Sequence, residues 1–101
     1  PSAEGFTDIA FLFQQLGDPT RLRILWLLCH CEECVCNIAA AVDMSAPAVS
    51  HHLRILKKSG IISSRRDGKE VYYSLSDTPQ AKLLHRSIDA LFEMSCPTDT
   101  Q

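Results

Sequence analysis

Four of the five cysteines in this 101-residue chain fall within eight residues, as Cys29, Cys31, Cys34 and Cys36 in a C-x-C-x-x-C-x-C pattern, while Cys96 stands alone near the C-terminus. Thiols clustered this way in a chain expected in the cytoplasm argue for metal or redox chemistry rather than a structural disulfide. Several thiolates together select soft ions such as Cd(II), Pb(II), Zn(II) or Cu(I), and three can hold As(III). Spacing restricts how they do so. Residues two apart lie about 200° around a regular helix, so Cys34 and Cys36 can share an ion only where the backbone is extended or just beginning a helix. Asn37, read as a helix cap, meets that condition. The positive end of that helix would favour the thiolate, which is the ligating form. For a single cysteine the alternative is a small buried hydrophobe, and His30, among the cysteines, reads equally as a ligand or a surface residue.

A second group of residues could bind nucleic acid. The formal net charge is only −2, but Arg54, Lys57, Lys58, Arg65, Arg66 and Lys69 crowd one stretch while Glu4, Asp8, Glu32, Glu33, Asp89, Glu93 and Asp99 lie towards the ends. One face can therefore be basic on an acidic molecule.

The elements that position these residues are legible from spacing. Ile9, Leu12, Phe13 and Leu16 predict an amphipathic first helix from about Phe6 to Leu16, stopped by Gly17. Asp18 and Pro19 cap and start a second helix, expected to reach about Leu28, with Leu22, Ile24, Leu25, Leu27 and Leu28 apolar and Arg21 and Arg23 outward. A short third helix follows Asn37, and Asp43-Met44 makes a turn. Ser45 then caps a fourth helix that tolerates Pro47 in its first turn and ends at Gly60 in a left-handed conformation. Two short helices across a tight turn form a helix-turn-helix. On the fourth helix Ala46, Val49, Leu53 and Leu56 point inward. Pro47, His51, Arg54 and Lys58 point outward, with Ser50, His52 and Lys57 on the flanks, and Ser45 and Pro47 lie at the end presented to base edges.

Next, Ile61–Arg66 and Lys69–Leu75 predict two strands joined at Asp67-Gly68, a strong hairpin signal that puts Arg65, Arg66 and Lys69 near a tip able to clamp a phosphate backbone. From Pro79 a last helix carries Ala81, Leu84, Ile88, Leu91 and Phe92 as an apolar stripe that so small a domain can hardly bury alone, which predicts a two-fold dimer seam. The expected fold is thus mainly α with a β-hairpin wing: one winged helix-turn-helix domain over residues 1–101, five helices with the hairpin between the fourth and fifth.

Together, Asp18-Pro19-Thr20-Arg21-Leu22, Glu33-Cys34-Val35-Cys36-Asn37, Ser45 to Leu53 ending Ser50-His51-His52-Leu53, and Asp67-Gly68-Lys69 followed by Tyr72-Tyr73-Ser74-Leu75 make the chain resemble the ArsR/SmtB family of repressors over nearly its whole length. The resemblance implies a homodimer joined through the first and last helices, binding double-stranded operator DNA and repressing metal efflux or detoxification genes until an inducer binds. It also implies an inducer site at Cys34-Val35-Cys36, which matches the pair used by arsenic and cadmium/lead sensors of the family. Departures are visible. Arsenic sensors often carry a third cysteine where this chain has Ala39, and cadmium sensors use cysteines of an N-terminal arm, whereas here none precedes Cys29. The remaining ligands are expected from Cys29 and Cys31 first and Cys96 second. Zinc-type members carry histidines and carboxylates on the last helix across the dimer seam; this chain offers His85 with Asp89 and Glu93, read more simply as a helix histidine paired with the carboxylate below it.

Two rivals stand beside this reading. Cys96-Pro97 resembles the second half of a persulfide- or disulfide-switched pair, with Cys29 or Cys31 as the early cysteine, in the same DNA-binding body. A winged-helix interaction module with a structural zinc is the other, and His51, Arg54 and the basic wing speak against it. No phosphate loop, nucleophile elbow or His-Glu-x-x-His pattern occurs, and the C-x-x-C of Cys31 to Cys34 lacks a βαβ setting, so neither an enzyme, an organic cofactor nor a small organic substrate is expected. The longest apolar run, Ile24 to Leu28, is far short of a membrane span, and no signal-peptide pattern opens the chain. Because it opens on Pro1 rather than methionine, the reading allows for native residues upstream.

Overall fold

A computed structural model describes residues 1–95; Cys96, and with it the expectation of a Cys96 ligand or crosslink, lies outside the described residues. The elements run α1 (Ala3–Leu16), α2 (Pro19–His30), β1 (Glu33–Cys34), α3 (Val35–Val42), α4 (Ala46–Lys58), β2 (Ile62–Asp67), β3 (Glu70–Leu75) and α5 (Pro79–Ser95).

Local chemistry explains most boundaries. Ser2 Oγ accepts from the Gly5 amide at 3.1 Å, so α1 begins three residues before the expected Phe6. Asp18 accepts from the Arg21 amide at 2.9 Å, with Pro19 in the first turn of α2. That helix passes Leu28 and ends at His30, where Cys31 turns the backbone extended. Asp43 closes α3 in the left-handed region at φ 55°, and Ser45 caps α4 three residues before the Ala48 amide. Gly60, at φ 83°, takes the chain out of α4 as expected.

The core lies between α2, α3 and α4. Ile24, Leu25 and Leu28 of α2 meet Ile38 and Val42 of α3 and Val49, Leu53 and Leu56 of α4, all buried. Each such side chain contributes roughly 1.5–3 kcal/mol by leaving water. Ala46, expected inward, is exposed because it is the first residue of α4, ahead of the buried turns.

Two features depart from the sequence reading. The sheet has three antiparallel strands in the order β1-β3-β2, not two, because Glu33 and Cys34 pair with Tyr73 and Tyr72. The hairpin turn is shifted by one residue. Asp67 pairs with Glu70, so Gly68 and Lys69 form the tip, and the positive φ of Gly68 at its first position is what a tight turn joining twisted strands requires.

Candidate nucleic-acid interface and thiol site

The outward face of α4 is as expected: Pro47, His51, Arg54 and Lys58 are exposed, and Ser50 is half-buried. Among the described residues the side chains of Arg54 and Lys58 have no ion pair or hydrogen bond, which leaves both cations free for a phosphate or a base edge. Ser45 spends its hydroxyl on the helix cap at 3.3 Å. Lys57 is engaged, donating to Ser64 Oγ of β2 at 2.6 Å and tying the end of α4 to the wing. His52, on the flank as expected, is half-buried and turned towards α2. It lies 3.5 Å from Arg21 Nη1 of α2, and burial pushes its imidazole below the usual value, with Arg21 and His51 adding to that and Asp18 opposing it. Arg21 also donates to the Gln15 carbonyl at 2.7 Å, so α1, α2 and α4 are linked through one guanidinium.

On the wing, Arg65, Arg66 and Lys69 are all exposed, but their situations differ. Arg66 donates to the Gly68 carbonyl at 3.3 Å across its own turn. Arg65 donates two hydrogen bonds to Glu32, just ahead of β1. Those bonds hold the Arg65 guanidinium above its usual pKa and the Glu32 carboxyl below its own. The sequence reading gave Glu32 and Tyr72 no role at the wing, and no sequence signal marks the pairing of Glu32 with Arg65, 33 residues away.

The cysteines occupy one continuous segment in four different settings. Cys29, in the last turn of α2, is half-buried, and burial pushes its thiol up to about 11, with Asp89 adding to the effect. Cys31, the exposed residue that ends α2, donates its thiol to the Leu27 carbonyl at 3.4 Å and is also pushed up, by desolvation and then by Glu33. Cys34 is buried and caps α3, without a side-chain cap bond; Cys36 is exposed in the first turn. The cap is therefore Cys34, not Asn37, which lies inside α3 and donates to Glu33 Oε1 at 2.9 Å. An extended residue followed by a helix start is nevertheless what a shared ligand pair two residues apart demands. Among the described residues the four thiols do not gather into a set of three mutually close ligands; that geometry occurs at His30, His85 and Asp89.

Cys34 also belongs to the wing. It pairs with Tyr72, which pairs on its other side with Arg65, so the three residues form one transverse row of the sheet. Paired residues in an antiparallel sheet share a face. The thiol segment, the tyrosine and the wing arginine are thus parts of one β structure whose next residue begins the helix-turn-helix.

A third surface is apolar. Phe13 and Leu16 of α1 with Leu84, Ile88, Leu91 and Phe92 of α5 line a groove of about 410 Å³. Phe13, Leu91 and Phe92 are more than half exposed, although the sequence had them on helix stripes expected to be covered. No helix of the described residues is long and apolar enough to cross a membrane.

Comparison with known proteins agrees with this architecture. The family model "Bacterial regulatory protein, arsR family" matches residues 18–64, which take in α2, α3 and α4. The transcriptional repressor SmtB homolog of Synechocystis is 45% identical over 86 residues, 85% of this chain and 65% of that protein. The cadmium resistance transcriptional regulatory protein CadC of Listeria innocua is 40% identical over 90 residues, 88% of this chain and 71% of its own length. The chain thus spans about two thirds of the length of these curated relatives. Among solved structures, the homodimeric winged helix-turn-helix DNA-binding domain Mb0332 of Mycobacterium bovis superposes with a TM-score of 0.83 at 27% identity, covering 98% of this chain and 92% of that one. These proteins are regulators rather than enzymes, in agreement with the sequence reading. With a helix-turn-helix, a wing and similarity that runs through both, the chain belongs to the arsR family of bacterial regulatory proteins.

Proposed function

We propose that the protein is a cytoplasmic, homodimeric repressor that binds double-stranded operator DNA through α4 and the wing and lets go when its cysteines capture a soft metal ion or metalloid. The observation that carries this reading is the place of Cys34 and Cys36: one is in the ladder with the wing and both are at the start of the first helix of the helix-turn-helix. Cys34 and Cys36 supply two thiolates. Further ligands come from Cys31 and Cys29, or from Cys96 of this or a second copy. Sulfur donors suit Cd(II), Pb(II), Zn(II) or As(III), and relatives named for cadmium resistance support that class.

Drawing thiols together at this segment acts on DNA binding through two connections. It moves Cys34 against Tyr72, and it moves Glu32, which lies between Cys31 and Cys34 and holds Arg65. Covering the exposed α1 and α5 groove with a second copy would set the spacing of the two α4 helices against successive major grooves, roughly 34 Å apart. A change in wing or helix position weakens that match. A coupling of about 1–3 kcal/mol would lower operator affinity 5- to 150-fold.

The test is release of an operator fragment by Cd(II), Pb(II), Zn(II) and As(III), with the reduced chain beside its Cys34→Ser/Cys36→Ser variant. The variant is expected to keep operator affinity and lose the response. A full response in the double variant refutes the assignment.

A further inference from the structure

Where the last turn of α2 meets α5, three ligand-bearing side chains converge within one chain. His85 Nε2 lies 3.0 Å from Asp89 Oδ2, one helical turn away, and His30 Nε2 of α2 lies 3.9 Å from Asp89 Oδ1. One donor atom from each falls within 4.8 Å of the others, and the two imidazoles meet edge to face at 88°, their centres 4.8 Å apart. We propose that His30, His85 and Asp89 form a binding site for a borderline divalent cation of the Zn(II) or Co(II) type, closed within one protomer and made without a cysteine ligand.

Three observations support it. Donor chemistry comes first: two imidazole nitrogens and one carboxylate suit Zn(II), Co(II), Ni(II) or Cu(II) better than the thiophilic ions that the cysteine segment prefers. Distance comes second. Ligand atoms about 2.0–2.2 Å from a tetrahedral ion stand roughly 3.3 Å from one another. His85 stands 3.0 Å from one oxygen of Asp89 and His30 3.9 Å from the other, and one donor atom from each residue lies within 4.8 Å of the others, so side-chain rotations are needed to close the set.

The third is an orphaned atom. Among the described residues His85 Nε2 is buried and makes no hydrogen bond, although Asp89 Oδ2 lies 3.0 Å away as an ion-pair partner. A buried polar atom without a hydrogen bond destabilises the fold, and a bound cation would remove that cost. His30 and Asp89 are 44% and 45% exposed, which gives an ion a path in and lets water complete its coordination.

Two of its residues, His85 and Asp89, are those set beside the zinc-type pattern of the resemblance, but in that pattern the ligands sit on the last helices of both copies. Here one ligand comes from α2, and the bound ion would pin α2 to α5. It does not rest on the cysteine reading above, although His30 lies between Cys29 and Cys31 and Asp89 is near enough to raise the Cys29 thiol.

Trp26, the only tryptophan, provides the test, since its ring centre lies 4.7 Å from that of His30. The reduced Cys34→Ser/Cys36→Ser chain is titrated with Co(II), following Trp26 fluorescence and visible absorption together. One Co(II) per protomer is expected, with quenching of Trp26 and ligand-field bands but no intense near-ultraviolet thiolate band. Adding either His30→Ala or His85→Ala should weaken binding at least tenfold, with unchanged circular dichroism and operator affinity as controls for folding. No Co(II) uptake, a thiolate band accompanying it, or undiminished affinity in both histidine variants overturns the proposal. Operator release by Cd(II) is read separately, so either site can fail without the other.

Discussion

Arg65 and Glu32 are joined by two parallel hydrogen bonds of 2.8 and 2.7 Å, with the guanidinium carried 5.0 Å above the ring of Tyr72. The sequence offers Arg65 as a phosphate contact, yet in this conformation two of its three donor nitrogens are spent on a carboxylate from the thiol segment and the third stands 3.9 Å from Asp67. DNA must compete with Glu32 for it. Replacing Glu32 with alanine is therefore expected to tighten operator binding and to steepen its salt dependence by about one phosphate's share, a log-log slope of roughly 0.9. Fluorescence anisotropy across a salt series measures both. If the slope is the same as in the parent chain, Arg65 makes no phosphate contact.

The raised pKa of Cys29 makes it a poorly reactive thiol. With burial and Asp89 pushing it up to about 11, only about one Cys29 in a thousand is thiolate at pH 8. Brief alkylation at that pH, followed by peptide mass spectrometry, should label the exposed Cys36 well before Cys29. Asp89→Asn removes part of the upward push and should speed Cys29 labelling. Equal labelling of Cys29 and Cys36 in the parent chain contradicts the burial argument.

Asp18 makes stability depend on acidity. Its hydrogen bond from the Arg21 amide, more than the nearby charges of Arg21 and His52, holds its carboxyl below the usual 3.8. A group whose pKa is lowered on folding binds protons more readily when unfolded, so it stabilises the fold fully above 3.8, and the contribution fades as pH falls through the lowered folded value. Asp18→Asn keeps a cap but cannot ionise. Thermal melts should place the variant below the parent at pH 7 and bring the two together near pH 2. A constant difference at both pH values would show that the charge is not involved.

The apolar surface of α1 and α5 leads to a prediction about assembly. Leu91 is 61% exposed in the single chain, so Leu91→Glu costs little within a protomer but places a charge in any two-fold seam formed there. Sedimentation should show the variant as a monomer with parental circular dichroism, and operator binding should fall by at least tenfold because half-sites are no longer bridged. A dimeric variant would move the seam elsewhere.

What the sequence determined by itself is what depends on neighbours along the chain. The Asp18 and Ser45 caps, the left-handed exit at Gly60, the inward Val49, Leu53 and Leu56 and the outward Arg54 and Lys58 all follow from contacts within a turn or two of helix. The tertiary structure decided what depends on residues meeting across the chain. Strand β1 is only two residues long and carries no periodicity of its own; it exists because β3 offers an open edge at Tyr72 and Tyr73. The cap of α3 moved from Asn37 to Cys34 for the same reason, since an extended pairing partner ends where the helix begins. Glu32 with Arg65, and His30 with His85 and Asp89, are pairings of side chains 33 and more than 50 residues apart. No local preference encodes such meetings, because they are set by how α2, the sheet and α5 pack around one shared core.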